Sequence, residues 1–167
     1  MILTIWRHGQ AEEGTPDRQR ALTESGRDDV GFGCHQFHLA SQTRSIPHPD
    51  RILYSSWLRA SQTAEIIAAA FSHAIVEEMG ALAPTSDVAA VDSALSALIN
   101  TDNTDGHVAL VSHQPLVSGL VNHYLGVTGA VPDLPPGGLV TLSLEFPVSG
   151  CGSLLFWAFP PEYEASM

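Results

Sequence analysis

Lysine is missing from this 167-residue chain: its seven basic residues are all arginine, at positions 7, 18, 20, 27, 44, 51 and 59, and 18 acids outnumber them. The formal net charge of −11 repels nucleic acid and anionic membranes, so neither is expected as a partner. Charge of either sign is scarce, at 15%, whereas hydrophobic residues reach 44%. That balance excludes a disordered chain or a coiled coil and predicts one domain over residues 1–167. Cysteine is rarer still. Cys34 and Cys151 lie far apart without metal-ligand spacing, and both read as small buried hydrophobes in a reducing cytoplasm. No apolar run approaches the roughly 20 residues that span a bilayer. The first seven residues, MILTIWR, lack the basic segment that opens a signal peptide.

What is present is an alternation. Segments of strand character lie at residues 2–6, 51–55, 74–77, 108–112, 139–146 and 153–159. Helical spacing fills the four gaps between the first five. Thr23 is placed to cap a helix running to about Ser41, weakened by about 1 kcal/mol at each of Gly31 and Gly33. Residues 58–71 form the strongest helix, with no internal Gly or Pro. Ser86 is expected to cap a third, and Pro115 to open a fourth that stops at Gly126. Four strand–helix units followed by two strands predict a three-layer α/β/α sandwich with a mostly parallel sheet and no cap domain. The last two strands are expected to pair as an antiparallel hairpin.

In such sheets ligands sit beyond the carboxyl ends of the strands. The first strand runs into Arg7-His8-Gly9. The second is followed by Ser55-Ser56-Trp57-Leu58-Arg59, and the fourth by His113-Gln114-Pro115. Two guanidinium groups and two imidazoles therefore converge on one edge. Guanidinium groups bind phosphate oxygens in pairs, and helix N-termini add N–H donors. In a chain of this charge the cluster reads as an anion site, most simply for phosphate. If Nδ1–H of His8 donates to a backbone carbonyl, Nε2 is free to attack phosphorus. His113, Arg7 and Arg59 then stabilise the transferring group, and Gly9 lets the backbone approach the ligand. The other histidines, His35, His38, His48, His73, His107 and His123, fall in helices or loops without shared spacing. The His35/His38 pair has no evident third ligand, so neither a metal nor a cofactor is expected.

Ile5-Trp6-Arg7-His8-Gly9 resembles the signature of the histidine phosphatase, or phosphoglycerate mutase-like, superfamily. Three further stretches resemble its SixA-type phosphohistidine phosphatase branch: Arg20-Ala21-Leu22-Thr23-Glu24-Ser25-Gly26, Ser55 to Thr63, and Val111-Ser112-His113-Gln114-Pro115-Leu116-Val117. Gly138-Leu139-Val140-Thr141-Leu142 resembles the penultimate strand of that branch, so the likeness runs collinearly from residue 2 to about residue 158. It implies that His8 accepts a phosphoryl group, that Arg7, Arg59 and His113 surround it, and that Arg20 also reaches the phosphate, with Arg18 as the competing candidate. It further implies a phosphorylated His-containing signalling protein as partner.

One departure bears on the reaction. Related chains carry a Glu in a Glu-Leu-x-Pro stretch as general acid, and here the position holds Ala81, in Gly80-Ala81-Leu82-Ala83-Pro84. Glu77 and Glu78 are near in sequence. An alkoxide leaving group needs such an acid, worth typically 10²–10⁴-fold, whereas imidazole protonates easily near neutral pH. The expected function is hydrolysis of phosphohistidine on a partner protein through phospho-His8. The alternatives are a small-molecule phosphomonoesterase of the same superfamily and a non-catalytic phosphate-binding adaptor.

Overall fold

A computed structural model describes residues 1–102 and 106–167. Its elements follow the expected alternation: β1 (Ile2–Arg7), α1 (Glu24–Thr43), β2 (Arg51–Tyr54), α2 (Leu58–Ala70), β3 (Ile75–Glu78), α3 (Val88–Asp102), β4 (His107–Ser112), α4 (Leu116–Leu125), β5 (Leu139–Leu144) and β6 (Gly152–Ala158). One six-stranded sheet has the order β3-β2-β4-β1-β5-β6. The pairs β3/β2, β2/β4 and β4/β1 are parallel, and β1/β5 and β5/β6 are antiparallel. The result is a three-layer α/β/α domain with a mixed, mainly parallel sheet.

Two apolar clusters sandwich the sheet, and residue alternation assigns each strand residue to one of them. Leu3, Ile5, Val108 and Leu110 face the side covered by α3 and α4, where Val91, Leu95, Leu116, Leu120 and Tyr124 are buried. Trp6, Ala109 and Val111 face α1 and α2, meeting Val30, Phe37, Ala64 and Ile67. Phe37 is the hub of this second face, with ring centroids within 6 Å of those of Trp6, Phe71, His107 and Phe156. Gly33, which costs α1 some intrinsic stability, has a packing reason. A Cβ there would lie 2.6 Å from the buried Tyr163 ring.

The helix ends are built much as their sequence suggests. Thr23 Oγ1 accepts from Gly26 N at 2.8 Å, and Gly126 ends α4 at φ 68°. The third helix differs from expectation. Its first turn is capped by Asp87, whose carboxylate accepts from Ala90 N at 2.9 Å, and not by Ser86. Cys34 is buried as expected, but Cys151 is exposed, because it follows the β5–β6 turn and not a packed face. His107 also moves. It is the first residue of β4 and fully buried, whereas the apolar pattern began only at Val108. No helix among the described residues is long and apolar enough to cross a membrane.

Candidate active site

Strands β1, β2 and β4 end side by side, so the sheet itself delivers the chosen side chains to one place. His8 follows β1 directly, Arg59 stands in the first turn of α2, and His113 follows β4 directly. All three are buried, at 7%, 5% and 2% exposure, and the His8 and His113 rings lie 5.0 Å apart. Arg59 Nε–H donates to His8 Nε2 at 3.2 Å. Its guanidinium carbon sits 4.9 Å from the Trp57 ring centre, which holds the planar group flat. Two imidazoles and an arginine, distant along the chain, thus share one buried site.

The protons can be assigned from the partners. His8 Nδ1 lies 2.7 Å from Gly9 O, an acceptor only, so the proton is on Nδ1 and the lone pair on Nε2. Burial holds the His8 pKa down to about 4, with Arg59, Arg7 and Arg20 adding to the effect against the bond to Gly9. The imidazole is therefore neutral, and Nε2 nucleophilic, throughout the physiological range. His113 is pushed further, to about 3, by burial first and then by His8 and the arginines. Its Nε2 meets Ser55 Oγ at 2.8 Å. Trp57 N–H donates to the same hydroxyl at 3.4 Å, and when the Ser55 hydroxyl donates to Nε2 the His113 proton sits on Nδ1.

His113 Nδ1 is buried and has no hydrogen-bond partner, and the same is true of Arg7 Nε. Buried polar atoms are rarely left unpaired, and two such nitrogens in one arginine-rich pocket fit an anion that accepts from Arg7 Nε–H and from His113 in its Nδ1–H form. Arg7 is held from behind. Its NH1 donates to Leu134 O at 2.8 Å, while Gly137 N donates to His8 O and Arg7 N to Gly138 O, each at 2.9 Å. The Pro- and Gly-rich stretch before β5 is thus the rear wall of the pocket.

Arg20 and Arg18 have different partners. Arg20 donates to Asp17 Oδ1 at 2.7 Å and to Glu12 O at 3.2 Å, and its charge depresses the pKa values of both His8 and Arg59. Arg18 donates to Ser56 Oγ at 3.2 Å, in an exposed contact. Gly9 serves a different end from the one expected. A Cβ there would meet Gly26 O and Val30 Cγ2 at 2.9 Å, so its small size admits the start of α1 and not a ligand. Its N–H donates to Thr63 Oγ1 at 3.1 Å, and that hydroxyl donates to Arg59 O at 2.7 Å.

Three contributors were not singled out from the sequence: Ser55, Thr63 and Asp17. Ser55 carried a signal, since it directly follows β2 just as His8 and His113 follow their strands. Ala81 lies in a short turn, Gly80–Leu82, and Glu77 pairs with Arg51 on the outer strands. Among the described residues the carboxylate bonded to the pocket arginines is that of Asp17. His38 Nδ1 shares a 2.8 Å hydrogen bond with His48 Nε2, and no group of three or more described His, Cys or acidic side chains is placed to hold a metal ion.

No family model matches the chain, and no curated protein does. Solved structures do. The protein histidine phosphatase SixA complexed with tungstate is 27% identical, with a TM-score of 0.77 over 96% of this chain and 97% of that one. A SixA protein from Agrobacterium tumefaciens is 22% identical, with a TM-score of 0.72 over 95% of this chain and 98% of the other. A mycobacterial glucosyl-3-phosphoglycerate phosphatase, at 17% identity, shares the fold with a TM-score of 0.67 over 92% and 96%. In its α/β/α fold and its collinear motifs the chain is similar to the histidine phosphatase superfamily.

Proposed function

We propose that the chain is a phosphohydrolase that removes the phosphoryl group from phosphohistidine on a partner protein. The observation that carries this reading is the His8 imidazole: neutral, with Nδ1–H tied to Gly9 O, Nε2 accepting from Arg59, and its ring centre 5.0 Å from that of a second buried imidazole. Nε2 of His8 attacks phosphorus, and the P–N bond to the substrate imidazole breaks, its electron pair leaving with that nitrogen, which takes a proton. Arg7, Arg59, Arg20 and His113 stabilise the charge spread over the transferring oxygens. Water then attacks phospho-His8, releasing inorganic phosphate and restoring the neutral imidazole. No metal or cofactor enters this scheme.

The leaving group is chosen by what surrounds the pocket. The acid position of related chains is Ala81, and Asp17 is held below the usual carboxylate range, first by its bond to Arg20, so it stays an anion near neutral pH. A site without a ready proton donor suits imidazole better than an alkoxide. No inserted subdomain stands over the strand ends among the described residues, which suits a phosphoryl group carried on a folded signalling protein. The unpaired Cys34 and Cys151 accord with a cytoplasmic setting.

Incubation with a phosphohistidine-bearing phosphotransfer domain should release inorganic phosphate and give an acid-labile, alkali-stable phosphoenzyme that His8→Ala does not form. Faster turnover of any sugar, nucleotide or lipid phosphate than of the phosphohistidine donor would overturn the substrate assignment.

A further inference from the structure

Asp17 occupies an unusual place for an exposed acid. It begins a single turn, Asp17–Gln19, at the rim of the pocket, and the two oxygens of its carboxylate are divided between two arginines. Oδ1 accepts from Arg20 Nε at 2.7 Å, and Oδ2 lies 3.5 Å from Arg59 NH2. The Asp17 side chain is 57% exposed, whereas that of Arg59 is 6% exposed.

The donors of Arg59 show why this matters. Nε–H points at His8 Nε2, and NH1 donates to Asp17 O at 2.8 Å. NH2 is the nitrogen left to bind an incoming oxygen, and the Asp17 carboxylate stands beside it. The same carboxylate holds the Nε of Arg20, the second arginine at the rim. An exposed contact at 3.5 Å is weak, and a phosphoryl dianion carries more charge than a carboxylate, so the exchange is favourable. Asp17 is also felt deeper in the pocket, where it acts on His113 against the surrounding positive charges.

We infer that Asp17 is the resident counter-anion of the phosphoryl pocket: its carboxylate neutralises Arg20 and Arg59 before substrate arrives and competes with the phosphoryl group for them. The inference rests on the reading of this pocket as a phosphoryl site and adds to it a residue that tunes affinity from the rim. Asp17 makes and breaks no covalent bond. Its role is to set how tightly anions, including the phosphate product, are held.

The test is calorimetric titration of wild type, Asp17→Asn and Asp17→Glu with inorganic phosphate and with tungstate at low salt. Asp17→Asn keeps the shape and removes the charge, and it should tighten both anions by about threefold to tenfold. Asp17→Glu keeps the charge and should stay within about twofold of wild type. The advantage of Asp17→Asn should shrink in high salt, because the competition is electrostatic and close to solvent. Phosphate inhibition of turnover should strengthen by the same factor. If Asp17 instead served to hold Arg20 and Arg59 in a binding geometry, Asp17→Asn would bind more weakly. Unchanged or weaker anion binding in Asp17→Asn, with wild type binding normally, overturns the inference alone. Equal tightening in Asp17→Glu overturns it as well. Failure of wild type and both variants to bind either anion overturns the phosphoryl-site reading, and the inference falls with it.

Discussion

The two ends of the parallel strands each hold buried histidine, and they differ in what surrounds it. At the start of β4, His107 is fully buried and held to a pKa of about 4, first by burial, just as His8 is. Its ring is completely occupied. Nδ1 lies 2.6 Å from Pro47 O, Nε2 lies 2.8 Å from Thr4 Oγ1, and Thr4 meets Thr141 at 2.9 Å. Its backbone N–H donates to Asp50 Oδ2 at 2.8 Å. At the carboxyl ends, His113 and Arg7 each keep a buried nitrogen without a partner, and His8 Nε2 faces an arginine. A depressed pKa therefore marks burial at both ends, and only unpaired donors beside positive charge mark a site that is prepared for a ligand.

Exchanging the residues at the two ends gives the largest expected effects. His113→Ala should lower kcat/KM by about 10²–10³-fold, because it removes a donor aimed at developing charge. His107→Ala should leave turnover within about twofold but strand the Pro47 carbonyl and leave a cavity beside Thr4, lowering the melting midpoint by roughly 5–10 °C. Steady-state kinetics and calorimetry on the pair check this. Normal melting with lost activity in His107→Ala would erase the distinction between the two ends.

A medium effect should appear in pH. Folded His8, His107 and His113 have pKa values below the unfolded value of about 6.5. Below that pH the unfolded chain takes up protons that the folded chain refuses, so stability is full above about 6.5 and is lost as pH falls toward 4. The melting midpoint should drop across this window. The acid limb of kcat/KM, measured where the protein stays folded, should titrate well below 6.5. A limb centred at 6.5 would mean that His8 is not the desolvated, arginine-flanked base described above.

The smallest effect separates the rim arginines. Arg20→Ala should lower kcat/KM by about tenfold, since its charge reaches His8. Arg18→Ala should change it by less than about twofold, as expected for an exposed surface contact. Equal losses in the two variants would place both guanidinium groups at the phosphoryl group.

Much of this architecture is legible along the chain because its signals are local. Strand and helix periods separate the ten elements to within two or three residues, and a residue directly after a parallel strand has one place to go. That logic brings His8, Arg59 and His113 together without any coordinates. It fails where contact depends on the path of a loop. Asp17 lies 42 residues from Arg59 and on no regular element, so no period points to it. Leu134 offers only a backbone carbonyl, which every residue has. His107 sits at a strand boundary, where the apolar pattern stops one residue short and hides its burial.

The order of residues by itself determined the layer architecture, the edge of the sheet that carries the arginines and imidazoles, and the net charge that makes this edge stand out. Those properties follow from short-range periodicity and composition. Only the folded structure decided which nitrogen of His8 carries its proton, which buried nitrogens remain unpaired, and which carboxylate leans over the pocket. Each of these is fixed by angles and distances of a few ångströms between remote segments, and a linear pattern does not encode them in any one place.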